Sequence, residues 1–282
     1  MGAAAELRKQ IESALAGRIP AALSPRPHSA PELIPCGLAE VDAMLGGGLP
    51  LGAITELTGP HSSGRTSLAL ATLAGLTQQG HSCAYVDLSD ALDPLSAAAL
   101  GVELHRLLWV RPAAHPMASR PKAATPALRL DSALRATDLL LNAGGFRALV
   151  LDLGDLPPEQ TRRIPLATWY RFRLQAEKSR TLFLLITCAQ DCAQGCAQSH
   201  AQSCVEGFVR SYAQSCAAVT LHCHPAEPHW RQAAEHSPLL LAGLRHRLSL
   251  ERGRAVDPTR KKPAASAPAF EAVWSSRTPW TG

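Results

Sequence analysis

The sequence predicts an α/β fold whose core is a mainly parallel, twisted sheet with helices on both faces. Continuous apolar runs, such as RALVLDL at 147–153 and TLFLLIT at 181–187, are typical of parallel strands that are buried on both faces. Segments with helical periodicity alternate with these runs. A third indication is the apolar stretch AITEL at 53–57, which leads into a glycine-containing loop and then a helix.

The first 18 residues form a predicted helix that stands apart from this core. Leu7, Ile11 and Leu15 lie four residues apart and give an apolar stripe. Residues 19–35 contain Pro20, Pro25, Pro27 and Pro31 and predict a linker. Because a short isolated helix is unstable in water, we expect this one to dock on a neighbouring molecule.

The core is predicted to span residues 36–254. A short helix and a glycine turn precede the strand at 53–57, and a helix over 65–79 follows the loop. The stretch SCAYVDLS at 82–89 predicts the next strand. Alternating apolar and polar residues at 217–223 and 246–252 predict late antiparallel or edge strands.

The C-terminal residues 255–282 are predicted to be disordered, apart from an aromatic patch at Phe270, Trp274 and Trp280. The formal net charge of +5 is concentrated just before and within this tail, between Arg245 and Lys262. Such a basic cluster indicates either a local contact with phosphate or an acidic partner, or a solvated tail.

The stretch GPHSSGRTS at 59–67 has the spacing of a phosphate loop, G-x-x-x-x-G-K-[ST], except that arginine replaces the lysine. It lies between a predicted strand and a predicted helix, where backbone N–H groups and the helix N-terminus can cradle a phosphate. Asp152 ends an apolar strand and is the predicted carboxylate for Mg²⁺, together with the hydroxyl of Thr66. The predicted nucleotide-binding residues of the loop are Gly59, Pro60, His61, Ser62, Ser63, Gly64, Arg65, Thr66 and Ser67.

Two stretches, LGGGLPLGAITELTGPHSSGRTSLAL and CAYVDLSDALDPLSAAALGVELHRLLWVRP, resemble the core of bacterial RecA recombinases. The likeness covers roughly residues 36–254. It implies a RecA-type ATP-binding fold that assembles head to tail on DNA. It also implies a nucleotide-binding role for Asp93, and a basic pair, Arg252 and Arg254, that reaches the nucleotide of the neighbouring subunit.

The same resemblance exposes departures from the RecA pattern. The catalytic glutamate falls on Ser89, the aromatic residue that covers adenine on Ser96, and the glutamine that senses the γ-phosphate near Cys188. His61 replaces an acidic loop residue, and the planar guanidinium of Arg65 does not simply replace a compact ammonium group. Without a carboxylate at position 89, nothing obvious activates water. We therefore expect ATP and Mg²⁺ binding to be weak or absent, without hydrolysis.

The segment RRIPLATWYRFRLQAEKSRTLFLLIT at 162–187 resembles ImuA, the RecA-related accessory protein of mutagenic translesion synthesis. This resemblance implies a non-recombinase adaptor in the DNA damage (SOS) response that binds a polymerase-like partner. RecA, single-stranded DNA and self-association are further implied contacts. The alternative is a divergent DNA-dependent ATPase that uses Asp90 or Asp87 as the water-orienting base. A third hypothesis is a regulatory decoy that caps RecA filaments.

Basic and aromatic residues are interleaved in the helix predicted at 161–180. This pattern suits single-stranded DNA, through charge and stacking, and the candidate contacts are Arg162, Arg163, Arg171 and Arg173. The alternative is an amphipathic helix whose arginines face water and whose rings face the sheet. The second interpretation fits the rings better, which are Trp169, Tyr170 and Phe172.

Cysteines recur every four residues between 188 and 216, with His200 in the same register. Thiols and an imidazole on one helical stripe are conceivable zinc ligands. The spacing differs from the paired C-x₂-C of a zinc module, and one element does not easily close a tetrahedron. A zinc site is therefore not expected.

The sequence predicts a cytoplasmic protein without a membrane partner. The start, MGAAAELRKQIES, has charges that interrupt any apolar run, so it does not match a signal peptide. Apolar runs such as LFLLI at 182–186 are too short to cross a bilayer. In this compartment the eight cysteines are expected to stay reduced.

Overall fold

The chain divides into two compact units, Met1–Pro31 and Glu32–Gly282. The computed structural model describes residues 32–112, 126–188, 216–232, 239–253 and 271–277, together with Glu6, Ser13 and Ala213. In the first unit Glu6 and Ser13 are helical and exposed. The rest of the predicted N-terminal helix, and the linker up to residue 31, lie outside the described residues.

The second unit opens with a small antiparallel ribbon and a short helix. The ribbon pairs β1 (Leu33–Ile34) with β2 (Leu49–Pro50), and α1 (Ala39–Met44) lies between them in the chain. Strand β1 falls within the stretch that the sequence predicted as linker. Its partner strand follows the glycine turn, where an added Cβ at Gly48 would lie 2.2 Å from the carbonyl oxygen of Ile34.

Six parallel strands form the centre of the main sheet and confirm the predicted fold class. Their order across the sheet is β8–β3–β7–β6–β4–β5, and each neighbouring pair is parallel. Because parallel strands end at one edge, the predicted site residues that follow them can meet there. The bounds are β3 (Ile54–Gly59), β4 (Cys83–Asp87), β5 (Leu107–Val110), β6 (Ala148–Leu153), β7 (Leu182–Cys188) and β8 (Ala217–Cys223).

Helices cover both faces of this sheet, and successive strand residues point into two separate cores. In β7, Leu184 packs in the cluster that includes Leu68 of the first long helix, whereas Leu185 packs with Trp169 and Phe172 on the opposite face. Burial on both faces explains the continuous apolar runs. The helices are α2 (Arg65–Gln78), α3 (Pro94–Ala99), α4 (Pro126–Ala143), α5 (Pro158–Thr161) and α6 (Leu166–Ser179), with a 3₁₀ turn at Leu104–Arg106.

Three antiparallel strands extend the sheet beyond β8. They are β9 (Glu227–Gln232), β10 (Leu239–Gly253) and β11 (Glu271–Arg277), and β10 pairs with β8, β9 and β11. The antiparallel strand predicted at 246–252 is confirmed, whereas the segment at 217–223 is not an edge strand, because β8 lies inside the sheet, parallel to β3 and antiparallel to the strand on its other side.

Strand β11 differs from the disorder expected for residues 255–282. Ala272 and Trp274 are buried while Glu271 and Val273 are exposed, which is the period-two pattern of a strand with one buried face. The sequence carries this pattern in only a few residues, beside a stretch rich in alanine, proline and serine. The remaining residues of the predicted tail lie outside the described part of the chain.

Among the described residues, no helix combines the length and the apolar character needed to span a membrane.

Candidate nucleotide site

The predicted phosphate loop (residues 59–67) connects the carboxyl end of β3 to the start of α2. Ser62 and Gly64 adopt positive φ angles of 58° and 87°. The first helical bond runs from the N–H of Leu68 to the carbonyl of Gly64, at 2.9 Å. The loop therefore presents the helix N-terminus toward the carboxyl edge of the sheet, which is where an anion is favoured.

Glycine is required at position 64 for two separate reasons. Its φ lies in the left-handed region, which disfavours other residues. An added Cβ would also lie 2.6 Å from Nδ1 of His246 on β10, so the imidazole occupies the space that a side chain would need. The shape of the loop thus depends on packing from the antiparallel strands.

Arg65 is buried, with 7% of its surface exposed, and it turns along the edge of the sheet. Its Nη1 donates a hydrogen bond to the carbonyl oxygen of Thr187, near the end of β7. An added Cβ at Gly154 would lie 3.4 Å from this Nη1 and 2.9 Å from Oδ1 of Asp152. Arg65, the carboxylate of Asp152 and Gly154 therefore lie next to one another at the ends of β6 and β7.

Asp152, the predicted metal carboxylate, is held by the chain itself. Its Oδ2 accepts a hydrogen bond from the hydroxyl of Tyr85 at 2.5 Å, and its Oδ1 accepts one from the N–H of Gly154 at 2.8 Å. Desolvation raises the pKa of Asp152, and the Tyr85 hydrogen bond and the charge of Arg65 oppose this shift. Burial, with the nearby Asp152 carboxylate, raises the pKa of Tyr85 well above its usual value.

The donor set suits a phosphate group better than a magnesium ion. The loop offers the N-terminus of α2, and Thr66 and Ser67 are exposed in its first turn. A metal at Asp152 would have to share this carboxylate with the partners it already has, since both of its oxygens accept a hydrogen bond within the chain and the Arg65 cation lies nearby. Within the described residues, no group of three or more His, Cys, Asp or Glu side chains is placed to hold a metal ion.

The acidic segment (residues 87–96) contains the carboxylates that the sequence offered as alternative bases. Asp87 is 1% exposed and accepts hydrogen bonds from the N–H groups of Ala91 and Leu92 and from Nε1 of Trp109, at 3.1, 2.9 and 3.2 Å. Asp90 is exposed and forms an ion pair with Arg111 at 3.6 Å. Asp87 thus closes a turn, while Asp90 pairs with a cation.

Asp93 is the N-cap of α3. Its carboxylate accepts from the N–H groups of Leu95 and Ser96 and, at 2.5 Å, from the hydroxyl of Ser96. The hydroxyl contact with Ser96 is the main reason that the pKa of Asp93 is lowered. Ser96 is exposed and completes this cap, at the position where the RecA resemblance implies an adenine-covering ring.

Two residues beside the loop were missed in the sequence. Asp155 follows the end of β6, and its Oδ1 lies 3.5 Å from Nδ1 of the loop residue His61, with both side chains largely exposed. The only signal was a second aspartate three residues after Asp152. This pair places a carboxylate beside the phosphate loop.

His246 is the second residue that sequence reasoning missed. Its ring stacks on Trp274 of β11, with centroids 5.1 Å apart, and its Nε2 lies 3.1 Å from the hydroxyl of Ser276. Burial lowers the pKa of His246, and the backbone of Ser63 acts in the opposite direction. No local motif announces this contact, because it joins strands that are far apart in the chain.

Of the predicted trans pair, Arg252 lies on β10 and is paired in register with Thr220 of β8. This places it alongside the parallel strands, whereas the loop follows their carboxyl ends. Arg254 lies outside the described residues.

The four candidate DNA-contact arginines are distributed over two places. Arg162 and Arg163 are exposed in the turn after α5, where Arg163 lines a cavity of about 680 Å³ together with Asp131 and Glu159. Arg171 donates through Nε to Asp138 of α4 at 2.8 Å. Arg173 lies over the Tyr170 ring, 5.8 Å from its centroid.

The rings of α6 divide between the core and the surface. Trp169 and Phe172 are buried and meet edge to face at 6.0 Å, as the amphipathic-helix interpretation predicted, whereas Tyr170 is 48% exposed. Tyr170 belongs to a groove of about 630 Å³, which we call the α4–α6 groove. Its lining includes Asn142, Leu166, Tyr170, Arg171, Leu174 and Lys178.

The cysteine-rich stretch is described only at its ends. Cys188 closes β7 and Cys216 precedes β8, and burial raises the pKa of Cys188. His200 and the intervening cysteines lie outside the described residues, so the absence of zinc stays a prediction.

Comparisons with known proteins agree with this geometry. Residues 6–119, which include the phosphate loop, match the model of the RecA N-terminal domain. This part of the chain is similar to the RecA N-terminal domain. The chain is 41% identical over 122 residues to Protein RecA of Brucella anthropi, which covers 43% of this chain and 30% of that protein. It is 34% identical over 170 residues to Protein RecA of Rhizobium rhizogenes, covering 55% of this chain and 43% of that protein.

The chain spans less than half the length of these curated relatives. A solved structure, that of the RadB recombinase, superimposes with a TM-score of 0.52 at 18% identity. It covers 86% of this chain and 94% of the RadB chain. This match establishes a RecA/RadB-like α/β fold.

Proposed function

We propose that this RecA-like chain is an accessory protein of the DNA damage response that works by binding partners and does not hydrolyse ATP. The observation that carries the proposal is that two carboxylates at this edge of the sheet accept hydrogen bonds from the chain itself. Asp152 and Asp87 are hydrogen-bonded to the chain, and position 89 is a serine. A general base must lie within hydrogen-bond reach of the attacking water, and the hydrogen bonds that Asp152 and Asp87 accept from the chain leave fewer acceptor positions for that water.

We place the role in error-prone translesion synthesis, with a polymerase-like partner. The resemblance of residues 162–187 to ImuA supports this assignment, and the same segment supplies most of the α4–α6 groove. The groove exposes Leu166, Tyr170 and Leu174 beside Arg171 and Lys178. A partner helix with an apolar ridge and acidic flanks would complement this surface.

Further proposed contacts follow from the RecA likeness. Self-association would use the N-terminal helix and the basic pair Arg252 and Arg254. RecA and single-stranded DNA are additional proposed partners, with Arg162 and Arg163 as the more accessible of the candidate DNA contacts. Binding of ATP and Mg²⁺ is proposed to be weak or absent.

A divergent DNA-dependent ATPase is the second candidate function, and Asp155 favours it. This exposed carboxylate lies beside the phosphate loop and is not buried in a cap. If it orients water, Asp155→Asn should abolish hydrolysis in the presence of single-stranded DNA, while the matched variant Asp90→Asn should not. The accessory role predicts no hydrolysis in either variant or in the parent chain.

The accessory role is tested by recovering partners from DNA-damaged cells and identifying them by mass spectrometry. We expect the parent chain to capture a polymerase-like protein and Leu174→Glu to lose it. Leu128→Glu is the matched control, because Leu128 and Leu174 are similarly exposed, 60% and 58%, but Leu128 does not line the groove. Recovery without any polymerase-like protein would count against the translesion assignment. A tail deletion should start after residue 277, since removing residues 255–282 would also remove β11.

A further inference from the structure

We propose that Arg65 latches the phosphate loop in a self-contained state, so that the residue at the lysine position acts as an autoinhibitory contact and not as a phosphate ligand. This inference rests on the proposed role of the loop as a degenerate nucleotide site. It adds a specific cause for weak binding, which is a competition between ligand and protein for one guanidinium group.

The first support is the direction of the side chain. Arg65 is the first residue of α2, yet it is buried and donates to the carbonyl of Thr187. Thr187 is paired in register with Thr58, the residue before the loop begins. The contact therefore fastens the start of α2 to the strand beside β3, from within the same edge of the sheet.

The second support is electrostatic. The charge of Arg65 lowers the pKa of Asp152 and opposes the effect of desolvation. The guanidinium thus interacts favourably with the Asp152 carboxylate at the end of β6 and with the Thr187 carbonyl at the end of β7 before any ligand arrives. A phosphate can recruit it only if those interactions are given up.

The third support is steric, because the space around the guanidinium is fitted to it. Gly154 has no side chain, and a Cβ there would approach both Nη1 of Arg65 and Oδ1 of Asp152. On the other side of the loop the His246 ring packs against Gly64. Protein atoms thus lie against Gly64 at one end of the loop and against the Arg65 guanidinium, which supports this conformation of the two residues.

Lysine at position 65 should release the latch. An ammonium group is a compact point charge on a flexible stem and lacks the planar fork that reaches Thr187 beside Asp152. Arg65→Lys therefore loses the internal contact while restoring the residue type that phosphate loops use. If the latch exists, Arg65→Lys should lower the stability of the ligand-free chain and raise its affinity for ATP, and this combination makes the variant decisive.

The experiment compares thermal unfolding of the full chain, Arg65→Lys and the control Arg135→Lys, each without ligand and with 1 mM ATP and Mg²⁺ (about a hundred times a 10 µM Kd). Arg135 is an exposed residue of α4 in a surface ion pair with Asp131. Without ligand we expect Arg65→Lys to lower Tm by about 3–8 °C, and the control by no more than about 1 °C. With ATP we expect no shift in the parent chain and a rise of about 2 °C or more in Arg65→Lys.

An unchanged Tm for ligand-free Arg65→Lys, or an ATP-induced rise in the parent chain as large as in the variant, would overturn the latch. If Arg65→Lys does not fold, calorimetric titration of ATP into the parent chain decides: a Kd tighter than about 100 µM contradicts the latch, and a weaker Kd supports it. Tight binding without turnover would remove the latch and the proposal of weak ATP binding, and would leave the accessory role without hydrolysis standing. Turnover by the parent chain would remove the proposed function as well.

Discussion

The phosphate loop and the acidic segment lie at the same edge of the sheet but are held in place in different ways. In the phosphate loop the backbone N–H groups are the candidate phosphate ligands. The backbone has the geometry that this requires, because Gly64 is left-handed and α2 starts directly after it. In the acidic segment the candidate groups are carboxylate side chains, and two of them are hydrogen-bonded to the backbone. Asp87 closes a turn and Asp93 caps α3. Packing thus fixes the backbone of the phosphate loop, whereas the carboxylates of the acidic segment accept hydrogen bonds that shape their own segment.

The largest expected effect comes from breaking the cradle. Gly64→Ala should destabilise the chain by about 2–4 kcal/mol, because alanine is strained at a φ of 87° and its Cβ would meet the His246 ring. Urea unfolding measures the loss. The matched control is Gly75→Ala in the interior of α2, where an added Cβ meets nothing within 4 Å and should stabilise the helix by about 0.5–1 kcal/mol. Equal stability of the two variants would show that the loop is not held as described.

The acidic segment should respond through stability and not through catalysis. Asp87→Asn leaves one acceptor oxygen for three donors, and we expect a loss of about 1–3 kcal/mol. Asp90→Asn removes only an exposed ion pair and should change stability by no more than about 0.5 kcal/mol. Chemical denaturation of both variants checks the difference. If the two were equally stable, Asp87 would not have the structural role assigned to it.

The smallest expected effect concerns His246, whose ring packs against Gly64 of the phosphate loop. Since burial lowers the pKa of His246 below the usual 6.5, the unfolded chain takes up a proton first as the pH falls. Its contribution to stability is present above about pH 6.5 and is lost as the pH drops through the folded-state pKa. His246→Gln should flatten this part of the stability profile by about 1 kcal/mol or less. His229→Gln, at an exposed imidazole on β9, should leave the pH dependence of stability as it is in the parent chain. If His246→Gln also had the pH dependence of the parent chain, the lowered pKa of His246 would be contradicted.

The elements that sequence reasoning predicted are those whose cause is local. The runs at 147–153 and 181–187 are strands because their residues alternate between two cores, and the glycines of the loop mark its turn directly. The contacts that it missed are long-range. Arg65 reaches a carbonyl 122 residues away, and the ring of His246 stacks on Trp274, which was predicted only as part of an aromatic patch in a tail without strands. Residue type alone also does not reveal that a carboxylate accepts hydrogen bonds from the backbone, as Asp87 does.

The most direct test of the central claim is a single-turnover ATP hydrolysis assay of the full chain, with and without single-stranded DNA, beside Asp152→Ala. The account predicts that the parent chain and the variant release phosphate at the same background rate in both conditions. A DNA-stimulated turnover of about one per second that Asp152→Ala abolishes would contradict it.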